Sequence, residues 1–339
     1  MTQLLTSRIE QLPLERPFRI SRGVKTMAEV VTVEVRRGDT VGRGEAVPYA
    51  RYGETPESVL AQIIAATPAL SAPVSRAELA SLLPPGAARN AVDCALWDLE
   101  SALGGRSVGE IAGWGEPGPV ITALTVSLDT PEKMAAAAAE IADVPLIKVK
   151  VDGDDPAAAI RAVREAAPAA RLIVDPNESW DMALLEQLQP LLEEMRVSFV
   201  EQPLPAGEDS CLDGFRPRIP VCADESCHTV DDLEVLAGRY GMVNIKLDKT
   251  GGLTGAIDLL SAARALDLGV MVGCMVSSSL SIAPALHVAA RADYADLDGP
   301  VWLAQDRPGG VTVRDGLMFP PAPGFWGQPI RTTASTSTA

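Results

Sequence analysis

Lys148 and Lys150, in Leu146-Ile147-Lys148-Val149-Lys150-Val151, combine a reactive residue type with a telling spacing. On a strand, residues two apart point to the same face. Two ammonium groups side by side among apolar neighbours repel each other. A nearby like charge, a metal ion and partial desolvation each lower a lysine from ~10.4 towards a working pH, which is what a general base needs. The bland alternative is an edge strand with both lysines in solvent, against which the apolar neighbours speak. Lys246, in Val243-Asn244-Ile245-Lys246-Leu247, ends another strand; its alternative is a surface lysine, and Lys249 reads as one.

Three carboxylates complete the set. Asp175 ends Ile173-Val174-Asp175, Glu201 ends Phe199-Val200-Glu201 and Asp224 ends Cys222-Ala223-Asp224, on three consecutive strands. Side by side they would repel severely unless a cation sat between them. All-oxygen ligation that leaves positions for water or a substrate carboxylate suits Mg²⁺. Each acid alone could instead cap the helix that follows it. Asp296 and Asp298, also two apart, would share a strand face and suit an ammonium group. An Asp-Gly turn would explain Asp298 but leave Asp296 without a role. With a base on each face of a carbon beside a metal-clamped carboxylate, a proton could leave one side and return on the other, inverting the stereocentre.

These residues need a scaffold that brings strand ends together. Beyond residue 120 the chain repeats short β-branched runs, each followed by an Ala- and Leu-rich helical stretch. The runs end at Thr125, Lys150, Asp175, Glu201, Asp224, Lys246, Cys274 and Asp298, at intervals of 22 to 28 residues. That is the size of one strand, helix and two loops, and eight such units close a barrel whose C-terminal strand ends share one mouth. Lys246 then lies halfway round from Lys150. An open doubly wound sheet also alternates strands and helices, but no G-x-G-x-x-G follows the first strand. The expected fold is α/β, a (β/α)7β TIM-like barrel over 120–304. An α+β capping domain over 1–115 precedes it, completed by part of 305–330, and 332–339 is expected to be a disordered tail.

Composition sets the class. Of 339 residues, 47% are apolar, enough for a large core, and 29 basic against 45 acidic residues give a charge of -16. That charge repels nucleic acid and anionic lipid. Cys94, Cys211, Cys222, Cys227 and Cys274 are odd in number and scattered, so reduced structural thiols are expected. No apolar run spans a bilayer and the start lacks a signal-peptide pattern, so a cytoplasmic protein with no membrane partner is expected. His228 and His287 lack partners at zinc or triad spacing and read as structural.

The K-x-K pair, the three acidic strand ends, and Asn244-Ile245-Lys246 before Thr250-Gly251-Gly252 together resemble the muconate-lactonizing subgroup of the enolase superfamily. Within it the chain is most similar to the dipeptide epimerases that act on L-Ala-D/L-Glu. Tyr294-Ala295-Asp296-Leu297-Asp298-Gly299-Pro300 resembles their D-x-D motif, which holds the substrate's ammonium. Pro17-Phe18-Arg19-Ile20-Ser21-Arg22-Gly23 and Val47-Pro48-Tyr49-Ala50-Arg51-Tyr52-Gly53-Glu54 resemble their two specificity loops. The resemblance implies that Arg22 meets the substrate's acidic side chain and that Thr125, Cys274 and Val276 line its site. It also implies one Mg²⁺ per subunit, a small dipeptide as partner, a role in murein-peptide recycling, and a possible homo-oligomer. Two rivals keep the fold, o-succinylbenzoate synthase and N-acylamino-acid racemase. A third is a ligand-binding barrel without chemistry.

Overall fold

The computed structural model describes residues 3–329, so the expected tail lies outside the described residues. Three antiparallel strands open the chain: β1 (Leu4–Ile20), β2 (Gly23–Arg37) and β3 (Thr40–Ala46), in the order β1-β2-β3. Val31, Val33 and Val35 of β2 pack into the cap's core, and Val30 and Thr32 between them are buried too. Helices α1 (Pro56–Ala66), α2 (Arg76–Leu82) and α3 (Ala87–Gly104) complete that core. The approach of α3 to β3 needs glycine: a Cβ on Gly42 would lie 2.1 Å from the Ala95 carbonyl oxygen, and one on Gly44 2.0 Å from that of Ala91.

After a Gly- and Pro-rich connection and the short β4 (Val120–Ile121), eight parallel strands follow. They are β5 (Leu124–Val126), β6 (Leu146–Lys150), β7 (Arg171–Asp175), β8 (Val197–Glu201), β9 (Val221–Ala223), β10 (Met242–Ile245), β11 (Gly269–Gly273) and β12 (Tyr294–Asp296), paired in chain order. The ring closes through Ala123, whose N–H donates to the Ala295 carbonyl at 2.8 Å, and through Leu297, whose N–H donates to Thr122 Oγ1 at 2.8 Å. The expected barrel with its antiparallel cap is the observed fold. Leu146, Ile173, Phe199, Cys222 and Met271 fill its interior, while Val149, Val174, Val200 and Val272 face the surrounding helices.

Two differences from the expected pattern have local causes. Helices follow most strands, at Pro131–Glu140, Pro156–Ala166, Met182–Glu194, Leu253–Ala265 and Ser279–Ala289, but β8 is followed only by a 3₁₀ turn at Asp209–Leu212. Pro203, Pro205, Gly207, Gly214 and Pro217 lie in that stretch and stop a helix. The strands after Glu201 also end one or two residues early. Asp224 and Lys246 therefore sit just past β9 and β10, and Asp298 lies in the turn beyond β12 rather than on a strand face with Asp296. At the far end β13 (Thr312–Arg314) pairs with β14 (Leu317–Phe319), which in turn pairs with β4. The segment then returns to the cap, where the Gly327 N–H donates to Asp98 Oδ1 and the Trp326 indole to the Arg43 carbonyl.

Candidate active site

The sheet β1–β2 turns at Ser21-Arg22, and this tip, with the loop at Val47–Glu54, roofs the barrel mouth. A cavity of about 990 Å³ lies between roof and barrel. Its walls include Lys148, Lys150 and Lys246, with Asp296 and Asp298. Arg22, Thr125, Cys274 and Val276, expected at the substrate site, line the same cavity. The strands β6 and β10 are four places apart in the ring of eight, so Lys150 and Lys246 enter it from opposite sides.

Beneath this floor lie Asp175, Glu201 and Asp224, each at most 1% exposed. Their charge is met by ammonium groups. Lys148 Nζ lies 3.0 Å from Asp175, 2.7 Å from Glu201 Oε2 and 2.8 Å from Asp296. Lys150 Nζ donates to Asp175 Oδ2 at 2.5 Å and to Asn177 Oδ1 at 3.1 Å. Lys246 Nζ donates to Asp224 Oδ2 at 2.6 Å. Lys249, expected on the surface, is buried and donates to Asp224 Oδ1 at 2.7 Å and to the Asn244 carbonyl at 2.9 Å. The turn of helix at Leu247–Thr250 folds it inward, because the strand ends at Ile245.

This arrangement corrects one expectation. The lysines were to be lowered by crowding and burial. Burial does lower Lys148, but Asp175, Asp296 and Glu201 outweigh it and hold the ammonium well above its usual range. Likewise Asp224 and Glu201 outweigh burial at Lys246 and raise it. Burial would raise Asp175, yet Lys148 and Lys150 hold it low; at Asp224, Lys246 and Lys249 do the same. Glu201 has less cationic help. Burial and the charge of Asp175 push its carboxyl up to about 7.

The donor set fits Mg²⁺. Three buried carboxylates feel one another's charge, and Glu201 Oε2 has an ion pair with Lys148 but no aligned hydrogen bond. Their oxygens do not yet meet: among the described residues no group of three acids, histidines or cysteines is set to hold an ion. Lysine ammonium groups stand among them. A divalent cation would relieve both the orphaned oxygen and the mutual repulsion.

The ammonium-binding candidates differ in how free they are. Asp298 Oδ2 accepts from the Thr125 N–H at 2.8 Å and the Trp302 indole at 3.2 Å, and burial and Asp296 push its carboxyl up to about 6. Asp296 Oδ2 faces Lys148, while its Oδ1 is buried without a hydrogen-bond partner among the described residues. At the roof, Arg22 donates to the Asn177 carbonyl at 2.9 Å, Glu178 at 2.9 Å, Tyr49 Oη at 2.9 Å and Glu225 at 2.6 Å. Arg51 grips Glu178 with two donors, at 2.8 and 2.7 Å. Lys25 shares the Tyr49 ring with Arg22, 5.2 and 5.9 Å from its centre.

Sequence reasoning missed Asn177, Glu178, Gln202 and Glu225. Asn177, Glu178 and Gln202 have φ of 47°, 68° and 35°, in the left-handed region that non-glycine residues rarely adopt. Only Asn177 carried a signal, since asparagine tolerates that region better than most. His228 packs edge-on to Tyr52 and His287 is buried in the helix Ser279–Ala289, both structural. No helix among the described residues is long and apolar enough to cross a membrane.

A capped parallel barrel with acids and lysines at the C-terminal ends of its strands defines the enolase-like class of two-domain proteins. Residues 4–113 match the mandelate racemase / muconate lactonizing enzyme N-terminal domain, and residues 133–327 match the enolase C-terminal domain-like family. The chain belongs to this mandelate racemase / muconate lactonizing branch of the enolase superfamily. It is 48% identical to the L-Ala-D/L-Glu epimerase of Escherichia coli (strain K12) over 88% of this chain and 93% of that protein. It is 45% identical to an N-acetyl-D-glutamate racemase of a Pseudoalteromonas species, over 88% and 95%. A solved enolase family member from Agrobacterium tumefaciens, with homology to dipeptide epimerases and bound sodium and L-Ala-L-Glu, has a TM-score of 0.94 and 46% identity, covering 96% of this chain and 100% of that one. The dipeptide epimerase of Methylococcus capsulatus, complexed with Mg and L-Arg-D-Lys, has a TM-score of 0.87 and 33% identity, covering 95% and 97%.

Proposed function

We propose that the chain epimerises dipeptides at the α-carbon of their C-terminal residue, with acidic dipeptides such as L-Ala-D/L-Glu as its substrates and Mg²⁺ as its cofactor. The observation that carries this is the pair Lys150 and Lys246, entering one cavity from opposite sides of the barrel. Asp175, Glu201 and Asp224 would hold the Mg²⁺. Bound there, the ion would neutralise the substrate carboxylate and stabilise the charge that develops when the α-proton leaves.

The remaining work falls to side chains. One of Lys150 and Lys246 takes the α-proton and the other returns one to the opposite face. The one that acts as base must first give up its own proton while the other keeps the proton it will return; at Lys246 that loss would be favoured if a bound divalent cation drew away Asp224 and Glu201, which hold its ammonium protonated. Lys148 stays charged beside the substrate carboxylate. Asp296, with its free Oδ1, and Asp298 receive the N-terminal ammonium. Arg22, Lys25 and Arg51 gather positive charge where the side chain of a C-terminal glutamate would reach the roof.

The similarity to an N-acetyl-D-glutamate racemase supports a second reading, in which the substrate is an N-acylated glutamate. Such a substrate has no ammonium, and the unpartnered oxygen of Asp296 favours one that does. Release from murein peptides would supply L-Ala-D-Glu, and a cytoplasmic location accords with that role. Incubating the protein with Mg²⁺ and either L-Ala-L-Glu or N-acetyl-L-glutamate, then resolving the epimers, separates the readings. Conversion of the dipeptide at the higher kcat/KM is expected; preference for the acylated acid would overturn the assignment.

A further inference from the structure

Gln202 follows Glu201 on the chain and is fully buried, with 0% exposure, yet its backbone is held at φ 35°. A non-glycine residue stays in that region only when its surroundings over-determine it. They do so here through every polar atom it has. Its carbonyl accepts from the Glu178 N–H at 2.9 Å, in the loop that follows Asp175, and its own N–H donates to the Cys222 carbonyl at 2.8 Å. Its side-chain oxygen accepts from the N–H groups of Asp224 at 2.8 Å and Ser226 at 3.1 Å. One residue thus joins the ends of β7, β8 and β9, each of which carries one of the three acids.

The amide's orientation is itself enforced. Asp209, 2% exposed, accepts from Ser226 Oγ at 2.6 Å and from Tyr240 Oη at 2.6 Å, and Arg239 donates to its other oxygen at 2.9 Å. Both hydroxyl protons are therefore spent on Asp209, and the hydroxyls can only accept from Gln202 Nε2, at 3.0 and 3.1 Å, beside the Leu204 carbonyl, which accepts from the same nitrogen at 2.8 Å. That turns Oε1 towards Asp224. The chain Arg239–Asp209–Ser226/Tyr240–Gln202 ends on the backbone N–H of Asp224.

We propose that Gln202 is a positioning residue that sets the mutual placement of Asp175, Glu201 and Asp224, and with it the protein's affinity for Mg²⁺. The inference rests on those acids being the metal's ligands. Outer-sphere partners of metal ligands commonly alter affinity ten- to a hundredfold. Titration calorimetry of the full, metal-stripped chain with MgCl₂ alone tests it without reference to turnover. Gln202→Leu is expected to bind Mg²⁺ about ten- to a hundredfold more weakly than the natural chain. A purely structural role would lower the unfolding temperature in EDTA and leave the dissociation constant unchanged, which overturns the proposal. If Q202L does not fold, Gln202→Met keeps the length of the side chain while removing its acceptor and its donor; weaker Mg²⁺ binding then supports the proposal and unchanged binding refutes it. Should the natural chain bind no Mg²⁺, the assignment of the acids fails first, and this inference with it.

Discussion

Lys148→Met isolates the electrostatics of the site from its chemistry. The ammonium removed is 2% exposed and lies 2.7 to 3.0 Å from three carboxylates. Methionine keeps most of the volume, so the loss is chiefly of charge. Removing one partner of a buried ion pair costs about 3–5 kcal/mol, because the remaining charge is left without compensation. An unfolding entropy of about 2.1 cal/mol/K per residue, over 339 residues, makes that a fall in Tm of about 4–7 °C. The deficit should be smaller at pH 6 than at pH 8. Glu201, already pushed up to about 7, takes up a proton at the lower pH and is then no longer a charge to be compensated. Mg²⁺ should recover more of the Tm in the variant than in the natural chain, since one ammonium fewer competes for the acids and Glu201 loses its only ion pair among the described residues. Differential scanning calorimetry in EDTA and in MgCl₂, at both pH values, reads all three. A variant within about 1 °C of the natural chain in EDTA, or one gaining no more from Mg²⁺, would refute the reasoning.

Asp296→Asn should reduce kcat/KM for L-Ala-L-Glu by about 10- to 150-fold, the worth of a hydrogen bond to a charged group at ~1.5–3 kcal/mol, while any turnover of N-acetyl-L-glutamate changes far less. Equal losses on both substrates would remove Asp296 from ammonium binding. Among the described residues Asp248 has no cationic partner. Its Oδ1 accepts from the Val47 N–H at 2.9 Å and from Asn90 Nδ2 at 2.8 Å, and burial pushes its carboxyl up to about 7. An acid raised on folding contributes stability that is fully present below its unfolded value and is lost as pH rises through its folded one. Asp248→Asn should therefore gain stability over the natural chain as pH rises from about 4 to 7, followed by urea unfolding. A difference that stays constant across that range would contradict the assignment.

How much of this was legible beforehand depends on what each residue's position rested on. Lys148, Lys150, Asp175 and Glu201 lie within regular strands, so alternation and strand spacing alone sent them to one face and one rim. Asp298 was misplaced by the same reasoning, because alternation stops where the strand stops, at Asp296. Lys249 was lost for a related reason: its burial follows from a turn of helix that no periodicity announces. Gln202 and Glu178 depend on positive φ values imposed by contacts distant in sequence, and glutamine or glutamate in a loop carries no mark of that. Crowding and burial alone mislead about Lys148 and Lys246 because the acids that raise them belong to other strands, and pairwise distances across a barrel cannot be read from spacing.

The central claim is that two lysines serve opposite faces of one carbon. Lys150→Ala and Lys246→Ala, each incubated in D₂O with Mg²⁺ and with L-Ala-L-Glu or L-Ala-D-Glu, test it by the appearance of deuterium at the glutamate α-carbon. Neither variant should invert its substrate, and each should retain exchange on one epimer only, the two variants on different epimers. Exchange confined to the same epimer in both, or inversion at the full rate in either, would contradict the account.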